Sequence, residues 1–401
     1  MLENKLNKTF LLLDQALVSG SNFTISFLIT KALGIEELGM YAMVWALVLV
    51  VSGVAQSFLI KPFQTFWGKL SNECEKKDYR SFLFGFLGVT SITLLALSFI
   101  IYTTSDYRFI SIVGLTLSSF LFHDFLRKYL IVVMKFKLLL LLDIVGYLPV
   151  LFVVDFVDSI EIVLLYQAGF FGFSFFGLFG ISQFRNWGEF VRKHWMFSRW
   201  LLAGNMTQWL SGNLYILIGG WYVSIAAVGI VKLGQTVFGV FNVLILIFEN
   251  YLPAKVSETY ISGGKHELLI ELDGLKTKVN VVFIVLSSII VFFSERIIQV
   301  LFGDSFVQYY WVFPFFVGIY FFIIQTLFLR LYFRTIENTK TLFQSYSWAC
   351  ILNGLAAFPL MYWLGEVGML IGMLLTQIIF WIDLKFNLNQ IYHENNTLST
   401  R

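Results

Sequence analysis

The stretch Ser81–Thr104, SFLFGFLGVTSITLLALSFIIYTT, contains no charged side chain. Val279–Ser294 is likewise free of charge. About 20 consecutive apolar residues cross the hydrocarbon core of a bilayer, and only helices or closed barrels satisfy the backbone there. Because these apolar runs are continuous rather than alternating, the sequence predicts membrane-spanning helices.

The composition of the whole chain agrees with this prediction. Of its 401 residues, 58% are hydrophobic and 13% are charged, whereas soluble domains carry roughly 25% charge. The two cysteines, Cys74 and Cys350, lie far apart and predict neither a metal site nor a disulfide framework. No phosphate-binding loop, metal-ligand cluster or nucleophile–base motif stands out. The sequence therefore predicts no enzyme, no cofactor and no nucleic-acid partner.

The apolar runs predict an all-α polytopic membrane protein with about twelve transmembrane helices. The predicted spans are 10–32, 39–60, 81–104, 109–134, 138–154, 160–183, 200–221, 226–251, 278–297, 309–330, 341–364 and 366–386.

The distribution of positive charge predicts the orientation of these spans. With both termini in the cytoplasm, 24 of the 28 lysine and arginine residues fall on the cytoplasmic side and three on the outer side. The loop Asp155–Glu161, DFVDSIE, then lies outside and carries only negative charge. The positive-inside rule therefore favours cytoplasmic N- and C-termini.

Short matches between the two halves of the chain predict an internal repeat. FLRKY at Phe125–Tyr129 corresponds to FLRLY at Phe328–Tyr332, and two further matches occur in the same order. Six spans separate the equivalents, so both halves have the same topology, as in transporters built from parallel repeats. The predicted organisation is an N-terminal bundle 1–184, a cytoplasmic linker 185–199, a C-terminal bundle 200–390 and a cytoplasmic tail 391–401.

The first span contains unexpected polar residues. A charge at the bilayer centre costs roughly 2.5–3.5 kcal/mol even on the insertion scale, yet Asp14 lies about one turn inside this span. It is either an interfacial carboxylate or a group that faces a polar cavity. Gln15, Ser19 and Asn22 share one helix face, which either joins helices by hydrogen bonds or lines that cavity.

The fourth span ends in a charged cluster, HDFLRK. His123 and Arg127, like Asp124 and Lys128, are spaced i,i+4, so one helix face presents paired charges. The cluster lies within the membrane if the helix runs over 109–134, and at the interface if the helix stops earlier. We favour the long helix.

The second half repeats the basic part of this cluster with Arg330 and Arg334. The planar fork of arginine suits phosphate groups. Arginines at equivalent positions of two halves, Arg127 and Arg330, are therefore predicted to act on one anionic substrate. We expect Asp143 to pair with a nearby lysine, Lys135 or Lys137.

Three blocks of the chain resemble one family of membrane proteins. They are LDQALVSGSNF followed by KALGIEELGMYA near the N-terminus, FLRKYLIVVMKFKLLLLLD in the fourth span, and RWLLAGNMTQWLSGNLYILIGG in the seventh. In this order they are similar to the Wzx-like oligosaccharide flippases of the multidrug/oligosaccharidyl-lipid/polysaccharide (MOP) superfamily.

The resemblance implies two six-helix bundles around a central cavity lined mainly by spans one, two, seven and eight. It implies export of an undecaprenyl-pyrophosphate-linked oligosaccharide across a bacterial inner membrane by alternating access, coupled to a proton or sodium gradient. Membrane lipids, a polysaccharide polymerase and chain-length machinery are the implied partners.

The resemblance and the repeat together suggest three groups of site residues. The substrate-binding candidates are Arg127, Arg330, Lys31, Lys61, Lys128, Lys232 and Arg334. The ion-coupling candidates are Asp14, Asp124, Glu249 and His123. The polar residues expected in the cavity are Gln15, Asn22, Gln208 and Asn213.

Other functions predict different features. A multidrug or cation antiporter of the same superfamily would need a carboxylate-rich cavity with few arginines. A polysaccharide polymerase would need a large outer loop, and the predicted outer loops are short. A membrane scaffold without transport activity would need no paired charges within its spans.

Overall fold

The computed structural model describes residues 2–67, 72–104, 108–180 and 187–399, and these residues are almost entirely helical, with no strand among them. The α-helices are α1 (Leu2–Leu33), α2 (Ile35–Ala55), α3 (Lys61–Trp67), α4 (Glu73–Thr104), α5 (Arg108–Val132), α6 (Phe136–Val153), α7 (Ile160–Gly172), α8 (Trp187–Tyr222), α9 (Ile225–Phe292), α10 (Ser294–Phe302), α11 (Phe313–Thr335) and α12 (Thr339–Ser399). A π-helical turn, Gln56–Ile60, joins α2 to α3, and 3₁₀ segments cover Val154–Phe156, Phe173–Gly180 and Asp304–Val312.

The predicted all-α membrane architecture is confirmed. Within the described residues, nine helical segments are long and apolar enough to cross a membrane, and Ile160–Phe176 is a shorter apolar helix. The sixth predicted span, 160–183, is only partly α-helical, since α7 ends at Gly172 and a 3₁₀ segment follows. A 3₁₀-helix rises about 2.0 Å per residue, more than an α-helix, so the eight residues Phe173–Gly180 add substantial length to this span.

Two of the helices contain a glycine kink. Gly264 in α9 has φ 71°, and Gly365 in α12 has φ 55°. Glycine reaches positive φ without the steric cost of a Cβ atom. Gly365 separates the predicted spans 341–364 and 366–386, so one helical run contains both. The segment between the predicted spans 226–251 and 278–297 is helix, because α9 continues through it with the kink at Gly264. Its cytoplasmic location stays a prediction.

The chain divides into two units, Met1–Met206 and Thr207–Arg401. The division lies inside α8, after the predicted linker 185–199, whose described part is continuous helix rather than an extended connection. The predicted tail 391–401 is also helical through Ser399. The bundle boundaries 1–184 and 200–390 stay predictions.

Each unit has a central helix that carries one copy of the repeated motif. In unit 1, α5 packs against α2, α4, α6 and α7. In unit 2, α11 packs against α9 and α12. FLRKY ends α5 and FLRLY ends α11, so the repeated sequence occupies similar places in the two bundles.

Candidate functional site

The charged cluster of unit 1 is centred on the Arg127 guanidinium. Its Nε atom donates to Asp143 Oδ2 at 2.6 Å, and Nη2 donates to Asp14 Oδ2 at 3.1 Å. Both carboxylates have no solvent-exposed surface. Arg127 therefore joins α5 to α1 and α6 through two buried ion pairs, as the guanidinium fork allows.

One sequence-based interpretation is wrong here. Asp143 pairs with Arg127 and His123, and not with Lys135 or Lys137. Asp14, for which the sequence left two alternatives, is fully buried against Arg127. The prediction of a long fourth helix is confirmed, since α5 extends through the whole cluster to Val132.

His123 extends this network through Asp143. Its Nε2 atom lies 3.0 Å from Asp143 Oδ1, and its Nδ1 atom lies 2.8 Å from Ser174 Oγ. The ring also packs at 4.7 Å from the ring of Phe171. His123 therefore orients the carboxylate that Arg127 binds.

Asp124 forms a second, neighbouring network. Ser52 donates to its Oδ2 atom at 2.7 Å, Gln56 donates to the same atom at 3.3 Å, and Lys128 Nζ lies 3.5 Å from Oδ1. The π-helical turn of the second span begins at Gln56, and such turns often occur at functional sites. The i,i+4 pair Asp124–Lys128 agrees with the sequence spacing.

Arg127 faces more acidic groups than one guanidinium can neutralise. Two carboxyl groups face it, and the Oδ1 atom of Asp14 is buried without a hydrogen-bond partner. A buried unpaired charge is costly. A proton or a cation on this pair of carboxylates would remove the excess negative charge.

Unit 2 has a simpler arrangement at the equivalent position. Arg330 Nη2 lies 3.0 Å from Glu249 Oε1, and Arg330 Nε is buried without a hydrogen-bond partner. Thr326 and Leu327 stand where unit 1 has His123 and Asp124. The repeat therefore preserves the arginine, but not the histidine or the acidic residue next to it. Its carboxylate partner is not repeat-related, because Glu249 lies in the eighth predicted span, whereas Asp14 and Asp143 lie in the first and fifth.

Lys232 lies on a cavity of about 340 Å³ within unit 2. The cavity is lined by one face each of α8, α9, α11 and α12, with Ser211, Gly212, Lys232, Gln235, Asn242, Phe316, Ile319, Tyr320, Ile323, Met373, Thr376 and Gln377. None of these residues is acidic, and no described carboxylate forms an ion pair with Lys232.

The remaining candidates are not gathered around these networks. The side chains of Lys31, Lys61, Gln15, Asn22, Gln208 and Arg334 are exposed. Asn213 is half-buried and donates to the Trp209 carbonyl at 3.1 Å. Their predicted cavity roles stay predictions.

Sequence reasoning missed a buried histidine at the start of α8. His194 Nδ1 lies 2.8 Å from the Phe58 carbonyl oxygen, and His194 Nε2 lies 2.8 Å from the Tyr79 hydroxyl. Since a carbonyl only accepts, Nδ1 carries the proton, and the Tyr79 hydroxyl donates to Nε2. The pKa of His194 is lowered to about 4, chiefly by burial and also by nearby Lys193, while the hydrogen bond to Phe58 opposes the decrease.

Other missed residues were visible only as weak signals. Ser52 and Gln56 form an i,i+4 polar pair in an apolar helix, and Ser174 interrupts a phenylalanine-rich run. Nothing in the sequence shows that these side chains meet Asp124 or His123. The described residues contain no group of three or more histidine, cysteine and acidic side chains able to hold a metal ion.

Comparison with known proteins identifies the fold. No protein-family profile matches the chain, and no curated protein matches its sequence. Among solved structures, the lipid II flippase MurJ in an inward closed conformation matches with TM-score 0.72 and 14% identity, over 96% of this chain and 87% of that one.

Two multidrug-type transporters also match. An inward-facing multidrug resistance MATE family transporter of the MOP superfamily has TM-score 0.72 and 9% identity, over 94% of this chain and 96% of that one. A eukaryotic MATE transporter has TM-score 0.52 and 13% identity, over 94% of this chain and 96% of that one. All three names describe transport proteins and not enzymes. At such low identities the likeness establishes the architecture, so the chain has the fold shared by MurJ and the MATE transporters.

Proposed function

We propose that this protein is a flippase that moves an undecaprenyl-pyrophosphate-linked oligosaccharide or polysaccharide repeat unit across the bacterial inner membrane. It works by alternating access with an ion gradient as the energy source. The N- and C-termini are cytoplasmic, and a polymerase with its chain-length machinery uses the exported unit. The sequence resemblance to Wzx-like flippases supports this assignment.

The observation that carries the proposal is the cation in the cavity of unit 2. Lys232 faces a polar cavity whose lining includes no carboxylate. A cavity for cationic drugs would place carboxylates there, whereas an anionic substrate needs a positive group. The fold shared with a lipid II flippase supports a lipid-linked substrate, and the fold shared with MATE transporters supports alternating access.

The carboxylates that hold Arg127 and Arg330 suggest how ions and substrate are coupled. Both guanidinium groups have acidic partners, so neither is fully available to a pyrophosphate. Protonation of Asp14 or Glu249 weakens its ion pair and leaves guanidinium N–H groups available to donate to phosphate oxygens, while Asp143 still accepts from Nε of Arg127. Protonation of the carboxylate and binding of the pyrophosphate would then promote each other.

The main alternative is a cation antiporter, and the buried carboxylates Asp14 and Asp143 are the observation in its favour. These two groups are already bound to Arg127, which lowers their net attraction for a second cation. A polysaccharide polymerase is disfavoured by the short outer loops that the sequence predicts.

The decisive experiment is deletion of the gene, followed by complementation. We expect loss of surface glycan and accumulation of lipid-linked repeat units on the cytoplasmic face of the membrane. The drug susceptibility of the deletion strain is measured for comparison, because loss of a multidrug antiporter would change it. Unchanged surface glycan in a strain shown to lack any second flippase contradicts the proposal.

A further inference from the structure

The cavity around Lys232 has the chemistry of a carbohydrate site with one negative charge. Lys232 lies seven residues into α9, about 10 Å along the helix at 1.5 Å per residue. It is too deep to be explained as a helix-end residue. Gln235 lies one turn away on the same face of α9, and Gln377 reaches the cavity from α12. Among the described residues, neither amide side chain has a hydrogen-bond partner in the protein.

Aromatic and hydroxyl groups complete the walls. Phe316 and Tyr320 border the cavity from successive turns of α11, but both rings are buried and stacked on Phe238, so they add little open surface. Ser211 uses its proton to bind the Gln208 carbonyl at 2.9 Å, so its oxygen remains an acceptor. Primary amides both donate and accept. Together the amides and the hydroxyl oxygen match the hydroxyls of a sugar ring.

Close packing keeps this cavity in place. A Cβ atom added at Gly234 would lie 2.1 Å from Phe316 Cε2, so α9 and α11 touch beside Lys232. A Cβ atom added at Gly372 would lie 1.9 Å from the ring of Tyr215, which closes α12 against α8. The space of about 340 Å³ is at the lower end of ligand-pocket volumes and suits a single sugar residue with part of its neighbour.

We propose that this cavity binds a carboxylate-bearing sugar, a hexuronic acid or similar, in the oligosaccharide that the protein transports. The inference rests on the proposed flippase function and narrows its substrate. Lys232 neutralises the carboxylate, and the amides of Gln235 and Gln377 bind ring hydroxyls. One ammonium group matches a single carboxylate charge, whereas a pyrophosphate carries at least two negative charges.

The test compares two repeat units that differ in one sugar. A strain without its own flippase assembles either a repeat unit that contains glucuronic acid or the same unit with glucose in its place. Wild-type protein, Lys232→Met and Lys232→Arg are produced at matched membrane levels, and surface polysaccharide is quantified. Lys276→Met is the matched control, because Lys276 is a surface residue of the same helix, paired with Asp273.

We expect Lys232→Met to lower export of the acidic unit about 10- to 150-fold relative to the neutral one, the factor that follows from loss of one charged hydrogen bond. Lys232→Arg retains a substantial part of the activity. Equal losses of export for both units would mean that Lys232 binds the pyrophosphate that they share. No loss for either unit would mean that Lys232 does not contact the substrate. Both results overturn the inference but leave the flippase function intact. Failure of the wild-type protein to export either unit refutes the flippase function itself.

Direct binding gives an independent measurement that does not depend on a stable Lys232→Met protein. Wild-type protein in nanodiscs is titrated with methyl glucuronide, methyl glucoside and inorganic phosphate. Preference for the glucuronide, weakened in the uncharged polar variant Lys232→Gln, supports the inference. Binding of phosphate without the glucuronide overturns it.

Discussion

Replacement of Arg127 by methionine tests whether the buried network of unit 1 depends on this guanidinium. The change removes ion pairs of 2.6 Å and 3.1 Å and leaves Asp14 and Asp143 facing each other with no exposed surface. Removing one partner of a buried ion pair costs about 3–5 kcal/mol, mainly because a charge remains buried and unpaired. We expect a loss of this size in the stability of unit 1.

The assay is thermal unfolding of the purified protein in nanodiscs, followed by tryptophan fluorescence. For a unit of 150–250 residues, 1 kcal/mol shifts Tm by about 2–4 °C, so the expected decrease is roughly 6–20 °C. The triple variant Arg127→Met, Asp14→Asn, Asp143→Asn should recover part of this loss, because no charge then remains buried without a partner.

Lys128→Met is the matched control on the adjacent position of the same helix. Lys128 is partly exposed, and Asp124 keeps its hydrogen bonds from Ser52 and Gln56 without it. We expect a smaller loss than for Arg127→Met, because Asp124 is buried but keeps two hydrogen bonds. An unchanged Tm for Arg127→Met, or a triple variant no more stable than the single one, would refute the explanation.

Three further predictions concern other parts of the chain. Because burial lowers the pKa of His194 from 6.5 to about 4, its stabilising effect is complete above pH 6.5 and decreases as the pH falls towards 4. The difference is roughly 3 kcal/mol, and unfolding of His194→Phe measured between pH 4 and 8 should show a weaker pH dependence than wild type. Gly372→Ala should destabilise unit 2 by about 1–3 kcal/mol through overpacking against Tyr215, and a thermal stability equal to wild type would contradict the close approach. Reporter fusions after Arg199 and Arg401 should be active only in the cytoplasm, and periplasmic activity at either position would reverse the predicted orientation.

Much of the fold follows from local sequence pattern. The uncharged run Ser81–Thr104 predicts a helix, and α4 ends at Thr104. The i,i+4 spacing predicts that Asp124 and Lys128 meet, and they do. Helix periodicity fixes which residues of one helix are neighbours, so no information about the rest of the chain is needed. Continuity across a kink is harder to predict, because the sequence around Gly264 is polar enough for a loop but still forms helix.

The partners of Arg127 required the tertiary structure. Asp14 is 113 residues away and Asp143 is 16 residues away, on two different helices. Apolar helices offer many possible neighbours, and short polar side chains give no sign of the helix that they will face. The same holds for His194, whose partners Phe58 and Tyr79 come from two helices far upstream.

The sequence by itself therefore determined the class of protein, the positions of most spans and the charged face of α5. These follow from hydrophobic length and from the 3.6-residue repeat of a helix, which act over a few turns. Only the tertiary structure decided that Asp14 is buried, that Asp143 binds Arg127, and that Lys232 faces a cavity without a carboxylate. Those features depend on which helix faces pack together, and packing is decided by shape and charge across residues distant in the chain.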